Sequence, residues 1–332
     1  MNLQMKTQAV VFTGPNQVSF QEVDCPDPGA GDVVVNITHS WISNGTEGSY
    51  LRGERIEGDT PWRPGDPTPF PVAAGYQKVG IVDWVGSEVN DLVPGNSVFV
   101  SVSKIDNMFE SRGGHVSPSV SGRGAAIKIP PGLDPVAYSG LVLTQVGYNC
   151  GERPRIQAGE PAVVVGDGLV GQWAGQILAS RGAEVIMIGR HEDRLAHFKQ
   201  GETMLENEGD WVKAIKERFP DGIQVGVDTV GSLVVMDQLR DSMRRFAHLV
   251  SAGFYGTEDC MALQPPRYKE LSIDLVSGAT PDRLEQTMDL VAKGTLETLP
   301  LITHRFPVAE AAKAWELIES KSEPVMGVVL EW

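Results

Sequence analysis

The rhythm of apolar and polar positions along this chain changes once, near residue 146. Before that point the apolar runs are short and bounded by Gly, Pro, Asn and Asp. Residues 8–12, 18–23, 32–38, 80–85 and 97–102 read as strands between turns. The run Asp91-Leu92-Val93-Pro94-Gly95-Asn96 is a turn feeding the last of them. Residues 52–70 mix Gly, Pro and charge without periodicity, which predicts a loop insertion over a cleft. This half has the rhythm of a β-rich barrel.

After residue 146, strands alternate with helical segments. Strands are predicted at 161–166, 184–189, 223–228, 247–252 and 270–276, and helices at 169–181, 192–200, 209–219 and 233–245. Such a βαβ series implies a parallel, doubly wound sheet, so the chain is of the α/β class. Two amphipathic segments, 281–293 and 308–320, precede a closing strand at 325–331.

The most informative stretch lies inside that series. Val163-Val164-Val165-Gly166-Asp167-Gly168-Leu169-Val170-Gly171 is a strand that ends in G-x-G-x-x-G and opens a helix. Gly166 permits the tight turn, Gly168 lets backbone approach a pyrophosphate, and Gly171 lets helix and strand pack closely. The backbone N–H groups of Leu169 and Val170 lie at the positive end of the helix, where phosphates bind. A second strand follows at the right distance, Ile186-Met187-Ile188-Gly189-Arg190. An NAD site places an acid here for the ribose 2′-hydroxyl. Gly189, Arg190, His191 and, one turn on, Arg194 offer space and positive charge instead, which suits a 2′-phosphate and predicts NADP(H). Glu192 and Asp193 come next, and either could swing toward the ribose. Thr229, Gly231, Gly253, Phe254 and Tyr255 fall where later strands end and complete the expected cofactor crevice.

Composition narrows the class. The 332 residues are 41% hydrophobic and 21% charged, enough for about two packed domains. A net charge of −15 repels nucleic acid, so none is expected as a partner. Three cysteines without C-x-x-C spacing argue against a disulfide framework. No apolar run is long enough to span a membrane, and the first residues lack the apolar core of a signal peptide, so the cytoplasm is the expected compartment.

With a barrel-like first half, a dinucleotide-binding second half and a return segment, the chain resembles the medium-chain dehydrogenase/reductase superfamily over essentially its whole length. The motifs are the VVVGDGLVG fingerprint, Gly45-Thr46-Glu47, Val93-Pro94-Gly95-Asn96-Ser97-Val98 and Leu301-Ile302-Thr303-His304-Arg305-Phe306. Segments around His39–Glu47, Ala74-Gly75-Tyr76, Gly253-Phe254-Tyr255 and Leu301–Arg305 look closer to the bacteriochlorophyllide a dehydrogenase branch, which oxidises a hydroxyethyl side chain. The resemblance implies a GroES-like β-barrel catalytic domain, residues 1–145 with 278–332, and a Rossmann cofactor domain, 146–277. It also implies a homodimer and a small-molecule substrate.

Departures from the family pattern carry the chemical expectation. Zinc members place Cys before Gly-Thr-Asp and use Gly-His-Glu; here Asn44 precedes Gly45-Thr46-Glu47, and the second motif is Gly75-Tyr76-Gln77. If Thr144 is the threonine that touches the nicotinamide, the third ligand position is Gly140. No thiolate or imidazole stands at any of the three, and residues 86–125 hold no cysteine for a structural zinc lobe. The expectation is an enzyme without metal. Hydrogen-bond donors must then stabilise the oxygen that zinc would polarise. Thr46 and Tyr76 are the leading donors, Ser43 and Asn44 add short polar groups, and Glu47 is expected to orient Tyr76 or Gln77. His39 and His304 read as structural, and His115 is left without a role. The expected reaction interconverts a secondary alcohol and a ketone with NADP(H). The alternative is an NADPH-dependent quinone or enone reductase, and a non-catalytic NADPH-binding protein is a third possibility.

Overall fold

A computed structural model describes residues 5–256 and 260–332. The chain forms two compact units, one made by residues up to Val142 together with Ile302–Trp332, the other by Leu143–Leu301.

The first unit is built on β-sheet. A seven-stranded sheet runs, in spatial order, Ala126–Lys128, Ser97–Val100, Lys78–Val85, Asp32–Ile42, Gly327–Glu331 and Ile302–Pro307, with Ser119–Gly122 also paired to Asp32–Ile42. A second sheet joins Val116–Ser117, Met5–Gly14 and Gln17–Cys25, and Val72–Ala73 pairs with Met5–Gly14. Alternate residues of these strands bury Val10, Phe12, Ile42, Val328 and Leu330 in one cluster with Trp315 of the helix Ala311–Ser320. The C-terminal strand is paired antiparallel with the strand that leads into the site, Ile42 opposite Val328 and His39 opposite Glu331.

Helix α1, Asn44–Leu51, is not predicted by the pattern. Two glycines in eight residues and no apolar stripe hide it. Burial of Glu47, Ser49 and Leu51 against the rest of the unit holds it instead. Within the expected loop, Arg55–Glu57 and Thr60–Pro61 pair as a short hairpin.

The second unit holds a six-stranded parallel sheet in the order Glu202–Leu205, Glu184–Gly189, Pro161–Val165, Ile223–Asp228, Met243–Ser251, Ser272–Leu275. Numbered along the chain, that order is 3-2-1-4-5-6, and it reverses between the paired strands one and four. Three boundaries differ from expectation. The helix expected at 192–200 is a single turn, Glu192–Leu195, and the strand Glu202–Leu205 follows it. Residues 243–245 belong to a strand, not to the helix Leu233–Ser242 before them. The segment 278–301, expected with the first unit, belongs to the second: Tyr148 donates to Gln286 Oε1 at 2.6 Å, and Trp173 Nε1 donates to the Glu297 carbonyl at 3.0 Å. Among the described residues, no helix is long and apolar enough to cross a membrane.

Candidate functional site

In the first unit the strand Asp32–Ile42 ends at Ser43, which stands at the N-terminus of α1. An N-terminal serine usually caps its helix through the side chain. Here it makes no such bond. Glu47 reaches back instead, and its Oε1 accepts the Ser43 backbone N–H at 2.8 Å. That leaves the Ser43 hydroxyl to face the phenol of Tyr76, which Thr46 also faces. Burial pushes the Tyr76 phenol up to about 12; the Glu47 charge adds to the rise, while Ser43, Thr46 and the Arg55 charge pull against it. The expected trio of Ser43, Thr46 and Tyr76 is therefore brought together. Asn44 stands beside it but turns away from the phenol. Its Nδ2 donates to the Met326 carbonyl at 2.8 Å, and its buried Oδ1 has no partner among the described residues.

Glu47 corrects an expectation. Its second oxygen is not turned to Tyr76 or Gln77 but accepts from His115 Nε2 at 2.9 Å. Gln77 is wholly buried and donates to the Trp41 carbonyl at 3.2 Å, a tie within the sheet. His115 Nδ1 lies 2.7 Å from Ser40 Oγ, which accepts Trp332 Nε1 at 2.8 Å. The protons run one way through this chain. Trp332 gives its indole N–H to Ser40, Ser40 gives its hydroxyl proton to Nδ1, and Nε2–H goes to the Glu47 carboxylate. A neutral ring satisfies every member. The order Ser–His–Glu is that of a hydrolytic triad, but Ser40 and His115 have no exposed surface and Glu47 is 1% exposed, so no acyl group can reach the serine. Space for the ring comes from Gly75, at φ +84°, where a Cβ would lie 2.6 Å from the imidazole. His115 is the residue that sequence reasoning missed. It stands 68 residues from Glu47, and no local pattern links them.

A second buried base lies in the same unit. Lys78, directly opposite Ser40 in the sheet, has no exposed surface. Its Nζ donates to Ser103 Oγ at 2.6 Å; Ser103 and Ser119 hydroxyls are 2.5 Å apart, Ser119 and Ser121 2.8 Å, and Ser121 donates to the Val102 carbonyl at 2.8 Å. Each hydroxyl has one proton, so the last bond fixes the direction of all the others back to the amine. Burial holds the Lys78 pKa well below the ordinary lysine value.

At the three positions that the resemblance matches to zinc ligands, no thiolate, imidazole or carboxylate stands. Asn44 spends its amide on a carbonyl, Tyr76 brings a phenol, and a Cβ at Gly140 would meet the Trp41 ring at 2.9 Å. Among the described residues, no group of three His, Cys, Asp or Glu side chains could hold a metal ion.

In the second unit the fingerprint glycines behave as their spacing predicts. Gly166 has φ +120°, and a Cβ there would meet Thr229 Oγ1 at 2.1 Å. At Gly171 a Cβ would sit 2.0 Å from the Gly166 carbonyl oxygen, the close contact of helix on strand. A Cβ at Gly168 would meet nothing within 4 Å, which leaves room for a group to approach the backbone before helix α2, Leu169–Ser180. Leu169 and Val170 open that helix. Thr229 closes the crevice floor, its amide and hydroxyl both donating to the Val165 carbonyl.

Several expected cofactor residues are engaged with the protein itself. Gly231 and Gly253 press on each other, since a Cβ on Gly253 would fall 2.1 Å from Gly231 Cα; their small size serves that contact between two loops. Tyr255 gives its hydroxyl proton to Asp228 and accepts from Ser251 at 2.8 Å, with burial and then that bond raising its pKa. Asp228 also accepts the N–H groups of Val230, Gly231 and Ser232 and so shapes the loop. Arg190 is paired with Glu206. Phe254 is partly exposed, and Thr144 is wholly buried in the helix Leu141–Glu152. The residue that organises the end of strand Glu184–Gly189 is Asp167, inside the fingerprint. It accepts the amides of Arg190 and His191 at 2.8 and 2.9 Å and His191 Nδ1 at 2.9 Å, and Arg194 approaches to 3.5 Å.

Known proteins resemble this chain along its length. A family model described as zinc-binding dehydrogenase matches residues 170–293. The 2-desacetyl-2-hydroxyethyl bacteriochlorophyllide A dehydrogenase of Rhodobacter capsulatus is 26% identical, over 99% of each chain. Among solved structures, a protein of Sinorhizobium meliloti described as a candidate zinc-binding dehydrogenase, bound to NADP, superposes with a TM-score of 0.81 at 23% identity, covering 99% of this chain and 100% of that one. An alcohol dehydrogenase from Escherichia coli complexed with NADH gives 0.84 at 21% identity, covering 98% and 99%.

Proposed function

We propose that this chain, which resembles the medium-chain dehydrogenase/reductase superfamily along its length, is an NADP(H)-dependent, zinc-independent oxidoreductase interconverting a secondary alcohol and a ketone. The observation that carries the reading is the Tyr76 phenol facing the hydroxyls of Ser43 and Thr46 at the N-terminus of α1. The hydroxyethyl group in the name of the Rhodobacter relative supports a secondary alcohol as substrate.

A bound nicotinamide cofactor supplies or accepts the hydride. The residues of this chain do the rest. Gly168 and the first amides of α2 form the cradle for its pyrophosphate. Gly189 and Arg190 favour the 2′-phosphate. Tyr76 donates a hydrogen bond to the substrate oxygen as negative charge gathers there. Because burial and the Glu47 charge push its pKa up to about 12, the phenol keeps its proton through neutral pH and remains a donor. Ser43 and Thr46 hold the phenol in place. The Glu47–His115 pair fixes the start of α1 and with it this trio.

The test is Tyr76→Phe. The expected outcome is a kcat about tenfold lower or worse, with NADPH affinity unchanged. A normal kcat removes Tyr76 from the mechanism. Assays of NADPH oxidation with simple ketones, set against quinones and enones, separate this reading from alkene reduction: turnover confined to enones sinks the alcohol–ketone assignment.

A further inference from the structure

The end of strand Glu184–Gly189 carries both signs of charge, and their pairing has a consequence for the cofactor. The carboxylate of Asp167 consumes the backbone N–H groups of Arg190 and His191. Those amides are the main-chain donors that an anion at this strand end would use. Recognition of an anion therefore falls to the side chains of Arg190 and Arg194. Arg194 has a buried Nε without a partner among the described residues and reaches Asp167 at 3.5 Å. Arg190 is not idle either. Its Nε donates to Glu206 Oε2 at 2.6 Å, and a second nitrogen reaches Oε1 at 3.4 Å. Glu206 immediately follows the strand Glu202–Leu205, whose Leu205 lies opposite Gly189. The sheet itself thus sets this acid beside this base.

We propose that Glu206 is a specificity-determining residue: a built-in anion that holds Arg190 and that the 2′-phosphate of NADP must displace. This rests on the NADP reading above and deepens it. Binding becomes an exchange of carboxylate for phosphate on one guanidinium, and both partners offer the planar cation two oxygens. The Arg190 side chain is 65% exposed and can turn; that of Glu206 is 25% exposed and stays near after release. A carboxylate left beside a phosphate dianion is a like-charge contact that opposes NADP and leaves NAD untouched. Glu206 therefore tempers the preference that Arg190 creates.

The experiment measures binding of 2′,5′-ADP and 5′-AMP to the full chain by calorimetry, with no turnover required. Glu206→Gln keeps size and removes charge. It is expected to tighten 2′,5′-ADP by roughly three- to tenfold, the scale of one screened charge contact, and to leave 5′-AMP unchanged. The double variant with Arg190→Ala is expected to lose that gain. Glu202→Gln is the control for net charge, since Glu202 is exposed on the same strand and pairs with Arg218 instead. The two readings fail separately. Wild-type protein that holds 5′-AMP as tightly as 2′,5′-ADP overturns the NADP assignment. Wild-type protein that prefers 2′,5′-ADP, with no gain in Glu206→Gln or an equal gain in Glu202→Gln, overturns the role of Glu206 alone.

Discussion

His115 and Lys78 are both bases with no exposed surface, in one unit of one chain, and their surroundings treat them oppositely. His115 has a carboxylate on one nitrogen and a serine on the other. Lys78 has a ladder of serine hydroxyls. Two solutions to the same difficulty follow. A buried base is tolerated when it stays neutral and donates to a carboxylate, or when burial disfavours its charged form and hydroxyls satisfy it. Only the first solution places a charge beside Tyr76. The imidazole therefore belongs to the proposed chemistry through Glu47, while the amine belongs to the fold.

The sharpest way to break the contrast is His115→Leu. It fills the space but leaves the Glu47 carboxylate buried against hydrocarbon. A loss of about 3–5 kcal/mol is expected in denaturant unfolding. An unchanged midpoint would mean that Glu47 finds another partner, and the pairing would lose its importance. Ser40→Ala comes next, because it strips both Trp332 Nε1 and His115 Nδ1 of their partner; a loss of about 1–3 kcal/mol is expected.

Lys78→Met sharpens the other side, and its effect is the smallest. The swap is close in volume, so stability at pH 7 is expected to stay equal or rise by about 1 kcal/mol. Its signature is in pH. The native amine resists protonation because it is buried, while the unfolded chain protonates it below its ordinary value near 10.5. Unfolded wild-type protein thus binds the extra proton, and Lys78 adds a contribution that makes stability rise with pH toward 10.5. The methionine variant lacks that contribution, so its advantage over wild type is largest in neutral solution and closes toward about pH 10. Urea midpoints at about pH 6, 8 and 10 check this; a gap that widens with pH contradicts an uncharged amine.

What is legible in the sequence is local. The fingerprint, its helix and the strand at 184–189 are close in the chain, and Gly166, Gly171 and Gly189 each have a close contact that explains the missing side chain. Ser43, Thr46 and Tyr76 stand out through their positions in family motifs. What is not legible spans distance or lacks periodicity. Helix α1 shows no stripe because tertiary burial, not pattern, stabilises it. The strand Glu202–Leu205 is only four residues long and half covered. Glu47 and His115, or Arg190 and Glu206, meet only once the sheets have formed. Asp167 lies in full view, yet a motif defined by its glycines gives no reason to single it out.

Asp167 has one more consequence, for how this protein could change over generations. A Cβ on Gly189 would lie 2.5 Å from the Asp167 side chain. Any lineage that remodels the strand end by adding a side chain at 189 must first shorten the residue at 167, and shortening 167 alone unties the turn at 190 and 191. The two sites are epistatic, and the order of substitutions is constrained. The strength of the cofactor preference is open to change through position 206 instead, whose side chain pairs with Arg190 and takes no part in the contact between 167 and 189.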